Sequence, residues 1–193
     1  MIPAWGDRRR TRIGLLGGSF NPAHEGHRHI SLIALQQLKL DAVWWLVSPQ
    51  NPLKPSAGMA SQAERLIGAR KIACHPRIIP SDIERHLGTR YTADTLAELT
   101  RRFPLVQFVW LMGADNLGQI TRWRRWEKIF ARAVVAVFDR SPYSPALYGK
   151  AARRFAHCRT EARRLVLNSP PAWSFLRIRL HSASATAIRL QRK

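Results

Sequence analysis

Apolar positions along the chain fall into short unbroken runs separated by stretches with helical spacing. "RIGLLGG" (Arg12–Gly18) reads as a buried strand ending in glycine. Beyond it, Ile30, Ile33, Ala34, Gln37 and Leu38 recur at helical spacing and predict an amphipathic helix starting near Glu25. "AVWWLVS" (Ala42–Ser48) is a second strand, followed by the Pro/Gly loop "PQNPLKPSAGM" and a helix that Ser61 caps. "RIIPSDIER" holds a short strand, "TADTLAELTRRF" a helix, and "LVQFVWLMG" and "RAVVAVFDR" two further strands. "SPYSP" breaks the chain before a basic helix near Pro145–His157, and "WSFLRIRL" supplies a last strand. Strands alternating with helices predict an α/β domain: a doubly wound parallel sheet with helices on both faces. No repeat, low-complexity segment or long linker divides the chain. The expected organisation is a single domain over 12–193 behind a basic extension over 1–11.

The first strand runs into "GGSFNPAHEGHRH", which opens the first helix. In doubly wound folds that junction lies at the carboxyl edge of the sheet, where ligands bind. Gly17 and Gly18 allow close backbone approach. The helix start offers unpaired N–H groups and a positive dipole end to a phosphate. His24 and His27, three apart, project from nearly one face, and Gly26 keeps the floor between them clear. Their imidazoles can donate to phosphoryl oxygens or carry positive charge toward them. A zinc site needs further ligands that no Cys/His/Glu cluster supplies, and a solvated turn remains the plain alternative. His29 lies off that face and reads as a surface residue. A GxGxxG fingerprint is absent, which removes the main support for a dinucleotide-binding oxidoreductase.

Composition changes the picture in one respect. At 193 residues and 46% hydrophobic, the chain has material for a real core. Two cysteines without CxxC spacing speak against a disulfide framework. The basic N-terminus lacks the apolar stretch of a signal peptide, and no window approaches about 18 apolar residues. A soluble cytoplasmic protein without a membrane partner is the expectation. The anomaly is charge: 32 Lys plus Arg against 12 Asp plus Glu give +20. Such a field attracts nucleotides, nucleic acid or anionic surfaces alike, so it does not decide between them. The basic residues are spread along the chain with no RRM, KH or zinc-finger pattern, so no specific nucleic-acid partner is expected.

"GGSFNPAHEGH" resembles the G-G-[ST]-F-D-P-x-H-x-G-H signature of HxGH nucleotidyltransferases, with Asn21 where Asp is usual. Across Arg12–Arg189 the motifs resemble those of the bacterial nicotinate-nucleotide adenylyltransferase family. The resemblance implies a Rossmann-like sheet and adenylyl transfer from ATP to nicotinate mononucleotide, giving deamido-NAD and pyrophosphate. It implies ATP contacts at Gly17, Gly18, Ser19, Phe20 and Gly26, with catalytic roles for His24 and His27. "SPQNPLKP" resembles the family's P-x-x-x-P-P-H-K loop, so Lys54 is expected to neutralise the leaving pyrophosphate, while Leu53 replaces a common His.

"RYTADTL" resembles S-Y-T-x-x-T-L, with Arg90 in place of Ser. Tyr91 and Thr92 are then expected at the nicotinate carboxylate, and Thr92 has a second reading as the cap of the following helix. In "GADNLGQITRWRRWEKI", Asp115 reads as a ribose acceptor or as a helix N-cap. Trp123 matches the pyridine-stacking position, and Trp126 reads as core packing. "SASATAIR" resembles I-S-[SA]-T-x-I-R, with Ala183 in place of Ile. Ser184 and Thr186 are expected on the β- and γ-phosphates beside a catalytic Arg189. Mg²⁺ is expected to arrive with ATP. The same chemistry on nicotinamide mononucleotide and a basic nucleic-acid-binding protein are the alternatives.

Overall fold

A computed structural model describes residues 2–3, 6, 8–49, 59–140, 144–181, 183 and 185–190. Six strands form one parallel sheet: β1 (Arg12–Gly18), β2 (Ala42–Val47), β3 (Ile78–Ser81), β4 (Gln107–Gly113), β5 (Val134–Phe138) and β6 (Trp173–Leu176). Their order is β3-β2-β1-β4-β5-β6. This is the doubly wound arrangement that the alternating pattern predicts. The sheet reverses direction of growth at β1, which pairs with β2 on one side and β4 on the other. The crevice at the carboxyl ends of β1 and β4 is therefore the ligand position of the fold.

Successive strand residues enter opposite layers, which explains why the central strands read as continuous apolar runs. Leu15, Trp44, Leu46, Trp110, Met112 and Val135 pack against α3 (Ile83–Leu87), α4 (Thr92–Arg102), α5 (Ala114–Gln119), α6 (Glu127–Arg132) and α7 (Lys150–Arg154). Leu16, Val43, Trp45, Leu111 and Ala136 pack against α1 (Glu25–Gln37), α2 (Gln62–Ala73) and the 3-10 turn Ala162–Leu167. Each large apolar side chain so buried contributes about 1.5–3 kcal/mol. Ile2 joins the first cluster, so part of the segment before β1 is packed on the domain.

Two local expectations change. The basic helix over 145–157 is three short pieces: a 3-10 turn at Ser144–Tyr148, α7, and a 3-10 turn at Ala156–Cys158. Gly149 interrupts it in extended backbone as the N-cap of α7. The last strand stops at Leu176. α5 and α6, six residues each, are too short to show a periodicity. The Ser61 cap holds: its Oγ accepts from Glu64 N at 3.2 Å, and the Glu64 carboxylate accepts from Ser61 N at 2.8 Å.

Between α3 and α4 lies a buried carboxyl. Glu84 is 7% exposed and accepts a 2.9 Å hydrogen bond from Thr95 Oγ1. That hydroxyl lies 3.0 Å from Thr89 Oγ1 and 3.2 Å from Tyr91 O. Burial outweighs the Thr95 hydrogen bond and pushes the Glu84 carboxyl up to about 7. The folded state therefore holds this proton more tightly than the unfolded chain. Its stabilising contribution is complete below about pH 4.5 and is lost as pH rises through 7. Denaturant titrations of wild type and Glu84→Gln across pH 4.5–8 are expected to diverge by on the order of 3 kcal/mol, with the variant favoured at the alkaline end.

Candidate active site

The junction after β1 builds the site. Phe20 takes the left-handed backbone at φ 48° and turns its ring into the core, where it stacks on Trp45 at 5.1 Å and meets His27 at 4.7 Å. The polypeptide then enters α1 with His24 as N-cap in extended backbone. Two histidines cap one another's main chain here. Gly26 N donates to His24 Nδ1, and His24 N donates to His27 Nδ1, each at 3.2 Å. The rings lie 3.9 Å apart. A backbone N–H can only donate, so both Nδ1 atoms are unprotonated and both neutral rings carry their proton on Nε2. Either ring can take a second proton only by giving up its cap.

Burial adds to this constraint. His24 is 5% exposed, and desolvation, with the Arg140 guanidinium and the His181 imidazole nearby, pushes it down to about 4. His24 is a neutral Nε2–H donor near pH 7, which favours hydrogen-bond donation over positive charge, the two roles that the sequence left open. A polar thread holds His27 from below: Trp45 Nε1 donates to Ser31 Oγ, which donates to His27 O, both at 2.8 Å.

The three glycines have different reasons. A Cβ on Gly17 would come within 2.6 Å of the Trp110 ring, so its bareness is required by packing on β4. At Gly18 a Cβ would meet only Phe20, at 3.4 Å. At Gly26 it would press on His24 Nδ1 at 2.9 Å and on Ala183 O at 3.2 Å. Gly26 thus clears space for the capping imidazole and for the carboxyl-terminal segment.

That segment lies across the first loop. Arg189, on α8 (Ala185–Leu190), donates from Nη1 to Asn21 O at 2.7 Å and from Nη2 to Thr186 Oγ1 at 3.2 Å. His29 Nε2 donates to Arg179 O at 2.8 Å, and its ring faces His181 at 5.5 Å, so it is a tether and not an idle surface residue. Lys54 and Ser184 lie outside the described residues.

On the β4 side, Asp115 is the second residue of α5; Gly113, not Asp115, is the N-cap. Asp115 Oδ2 pairs with Arg140 Nη1 at 3.3 Å, while its Oδ1 is buried with no hydrogen-bond partner among the described residues. Arg140 links Asp115 to His24 electrostatically. Trp123 is half-buried, edge-on to Trp110 at 6.4 Å, and Trp110 in turn fills the space under Gly17. Trp126 packs against Phe130 and Phe155, as expected of a core residue. Tyr91, and not Thr92, is the N-cap of α4; Thr92 is its first helical residue, with its amide at the helix start. The Arg124 guanidinium lies 4.7 Å over the Tyr91 ring, and Arg125 pairs with Asp94 at 3.5 Å, so the two segments clasp.

Two arginines escaped the sequence reading. Arg140, just past the end of β5, had a usable signal in its place beyond a parallel strand. Arg65, buried in the second turn of α2, had none: an arginine inside a helix ordinarily faces water.

The family model for cytidylyltransferase-like proteins matches residues 15–190. A probable nicotinate-nucleotide adenylyltransferase of Parvibaculum lavamentivorans is 54% identical over 184 residues, covering 92% of this chain and 90% of its own. Its namesake in Gluconacetobacter diazotrophicus is 50% identical over 192 residues, covering 97% and 89%. The chain belongs to the nicotinate-nucleotide adenylyltransferase family. The fold is also that of Plasmodium falciparum nicotinic acid mononucleotide adenylyltransferase complexed with NaAD, at TM-score 0.69, 17% identity, and coverage of 93% and 83%. Within the family signature of this chain, the two histidines are thus each other's helix cap as well as candidate ligands.

Because His24 is held below the ordinary histidine value, its contribution to folding is complete above about pH 6.5 and is lost as pH falls through 4. His24→Asn keeps a strong N-cap. Chemical denaturation is expected to place the variant within about 1 kcal/mol of wild type at pH 7, with a shallower loss of stability between pH 6.5 and 4.

Proposed function

We propose that the chain transfers the adenylyl group of ATP to nicotinate mononucleotide, releasing deamido-NAD and pyrophosphate, in NAD biosynthesis. The carrying observation is the mutually capped pair His24 and His27, which presents two Nε2–H donors at the start of α1 beside the reversal point of the sheet. The names of relatives at 50–54% identity support the same reading.

The mononucleotide's phosphate is ionised at neutral pH and needs no base. One of its oxygens attacks the α-phosphorus of ATP in line. The new P–O bond forms as the α–β bridging bond breaks, and the electron pair leaves on pyrophosphate. Catalysis is then positioning and charge stabilisation. His24 and His27 donate to the α- and β-phosphoryl oxygens as neutral groups. Positive charge for the leaving group falls to Lys54, Arg189 and Arg140. Gly17, Gly18, Ser19, Phe20 and Gly26 form the first wall around ATP, with Thr186 opposite, and Ser184 is assigned to the same β- and γ-phosphates from the sequence motif.

Nicotinate lies on Trp123, its carboxylate at the amides of Tyr91 and Thr92, and the Asp115 carboxylate accepts from a ribose hydroxyl. Among the described residues no group of three His, Cys, Asp or Glu converges on one point. Mg²⁺ is proposed to be carried on ATP, bound by phosphate oxygens and water. No helix among the described residues is long and apolar enough to cross a membrane. The cytoplasm is the proposed compartment.

Pyrophosphate release, measured with ATP and a panel of acceptors, tests this reading. Nicotinate mononucleotide is expected to exceed nicotinamide mononucleotide by at least tenfold in kcat/KM, about 1.4 kcal/mol of discrimination. Equal turnover of both would remove the carboxylate contact, and turnover of neither would remove the reaction. His24→Asn is also expected to lower kcat by about 10²–10³, the scale for losing one oriented donor to the transition state.

A further inference from the structure

Arg65 is 4% exposed, yet every partner of its guanidinium among the described residues is a main-chain carbonyl. Nη1 donates to Ser19 O at 2.6 Å and to Ser48 O at 2.9 Å, Nη2 to Pro49 O at 3.0 Å, and Nε to Ala60 O at 3.0 Å. No carboxylate among the described residues pairs with it. Ser19 follows β1, Ser48 and Pro49 follow β2, and Ala60 precedes α2. One side chain thus ties together the carboxyl ends of two strands and the approach to a helix. Ser48 N also donates to Gly18 O at 3.0 Å, which extends the pairing of β1 and β2 up to the arginine.

The shortest of these bonds has a directional effect. In a trans peptide the carbonyl and the N–H point to opposite sides. With the Ser19 carbonyl drawn onto Arg65, the N–H of Phe20 is turned away from α2. Phe20 itself is held at φ 48°, and a left-handed residue in a turn is a way of aiming successive amides at an anion. A planar fork spanning four acceptors can fix this peptide in one orientation, and a lysine ammonium, donating from a single point, cannot.

We infer that Arg65 is a positioning residue for the ATP side of the site: it touches no substrate, and it presets the Ser19–Phe20 peptide against the end of β2 so that the amide side faces the polyphosphate. The inference rests on the proposed adenylyl transfer for its catalytic meaning, but its effect on ATP binding is measurable without any acceptor.

The test uses the full chain as Arg65→Lys and Arg65→Met. For Arg65→Lys, calorimetry with MgATP alone is expected to show Kd weakened about tenfold. Steady-state assays are expected to show kcat/KM for ATP reduced about 10–100-fold, the scale of a small misplacement, while KM for nicotinate mononucleotide stays within about twofold. Arg65→Met is expected to lose more on the ATP side. If it does not fold, Arg65→Lys, checked by its thermal midpoint, decides alone. ATP affinity and kcat/KM within threefold of wild type in Arg65→Lys would overturn the inference. So would equal losses for ATP and the mononucleotide with a lowered midpoint, which is the mark of general loosening. Wild type that binds ATP but adenylylates no mononucleotide would sink the proposed function, and the calorimetric comparison would still judge Arg65.

Discussion

The site depends on two backbone amides at the start of α1 that need acceptors and find them in imidazole nitrogens. Once His24 Nδ1 takes Gly26 N–H and His27 Nδ1 takes His24 N–H, little freedom remains. The rings are fixed in orientation, their protons are confined to Nε2, and a second proton is opposed at His24 by burial as well as by the cap. The fold has thereby chosen hydrogen-bond donation over charge at this point. In the proposed reaction, cationic work then falls to side chains outside this cap, among them the arginines on other elements.

Around that cap, buried polar threads link the core to the surface of the site. Trp45, Ser31 and the His27 carbonyl form one. Glu84, Thr95, Thr89 and the Tyr91 carbonyl form another beneath the clasped α4 start. In low dielectric such bonds are stiff, and leaving any of them unmade is costly. The starts of α1 and α4 thus rest on separate polar supports on opposite faces of the sheet, since Trp45 packs into one layer and Leu96 of α4 into the other.

Much of this was legible in the sequence where one local cause dominates. The bounds of β1, the Ser61 cap and the burial of Trp126 follow from an apolar run, a capping residue and an aromatic at helical spacing. The motif residues around Gly26 were recognisable, but the purpose of Gly17 was not, because it answers to Trp110 on a different strand. The role of Arg65 was invisible for a similar reason: its four acceptors are carbonyls, which every residue possesses and no pattern distinguishes. Thr92 and Asp115 sit one and two places inside their helices, within the ordinary uncertainty of a boundary. The broken helix near Gly149 shows a glycine acting as punctuation where basic residues alone read as continuous.

The bond from Arg189 to the Asn21 carbonyl spans 168 residues of sequence. A ribosome delivers Asn21 early and Arg189 late, so the nascent polypeptide can pair its central strands well before the tether reaches the loop it holds. Assembly of this corner is therefore a closing event in biogenesis, since the first loop stays unfastened until Arg189 is free to reach it.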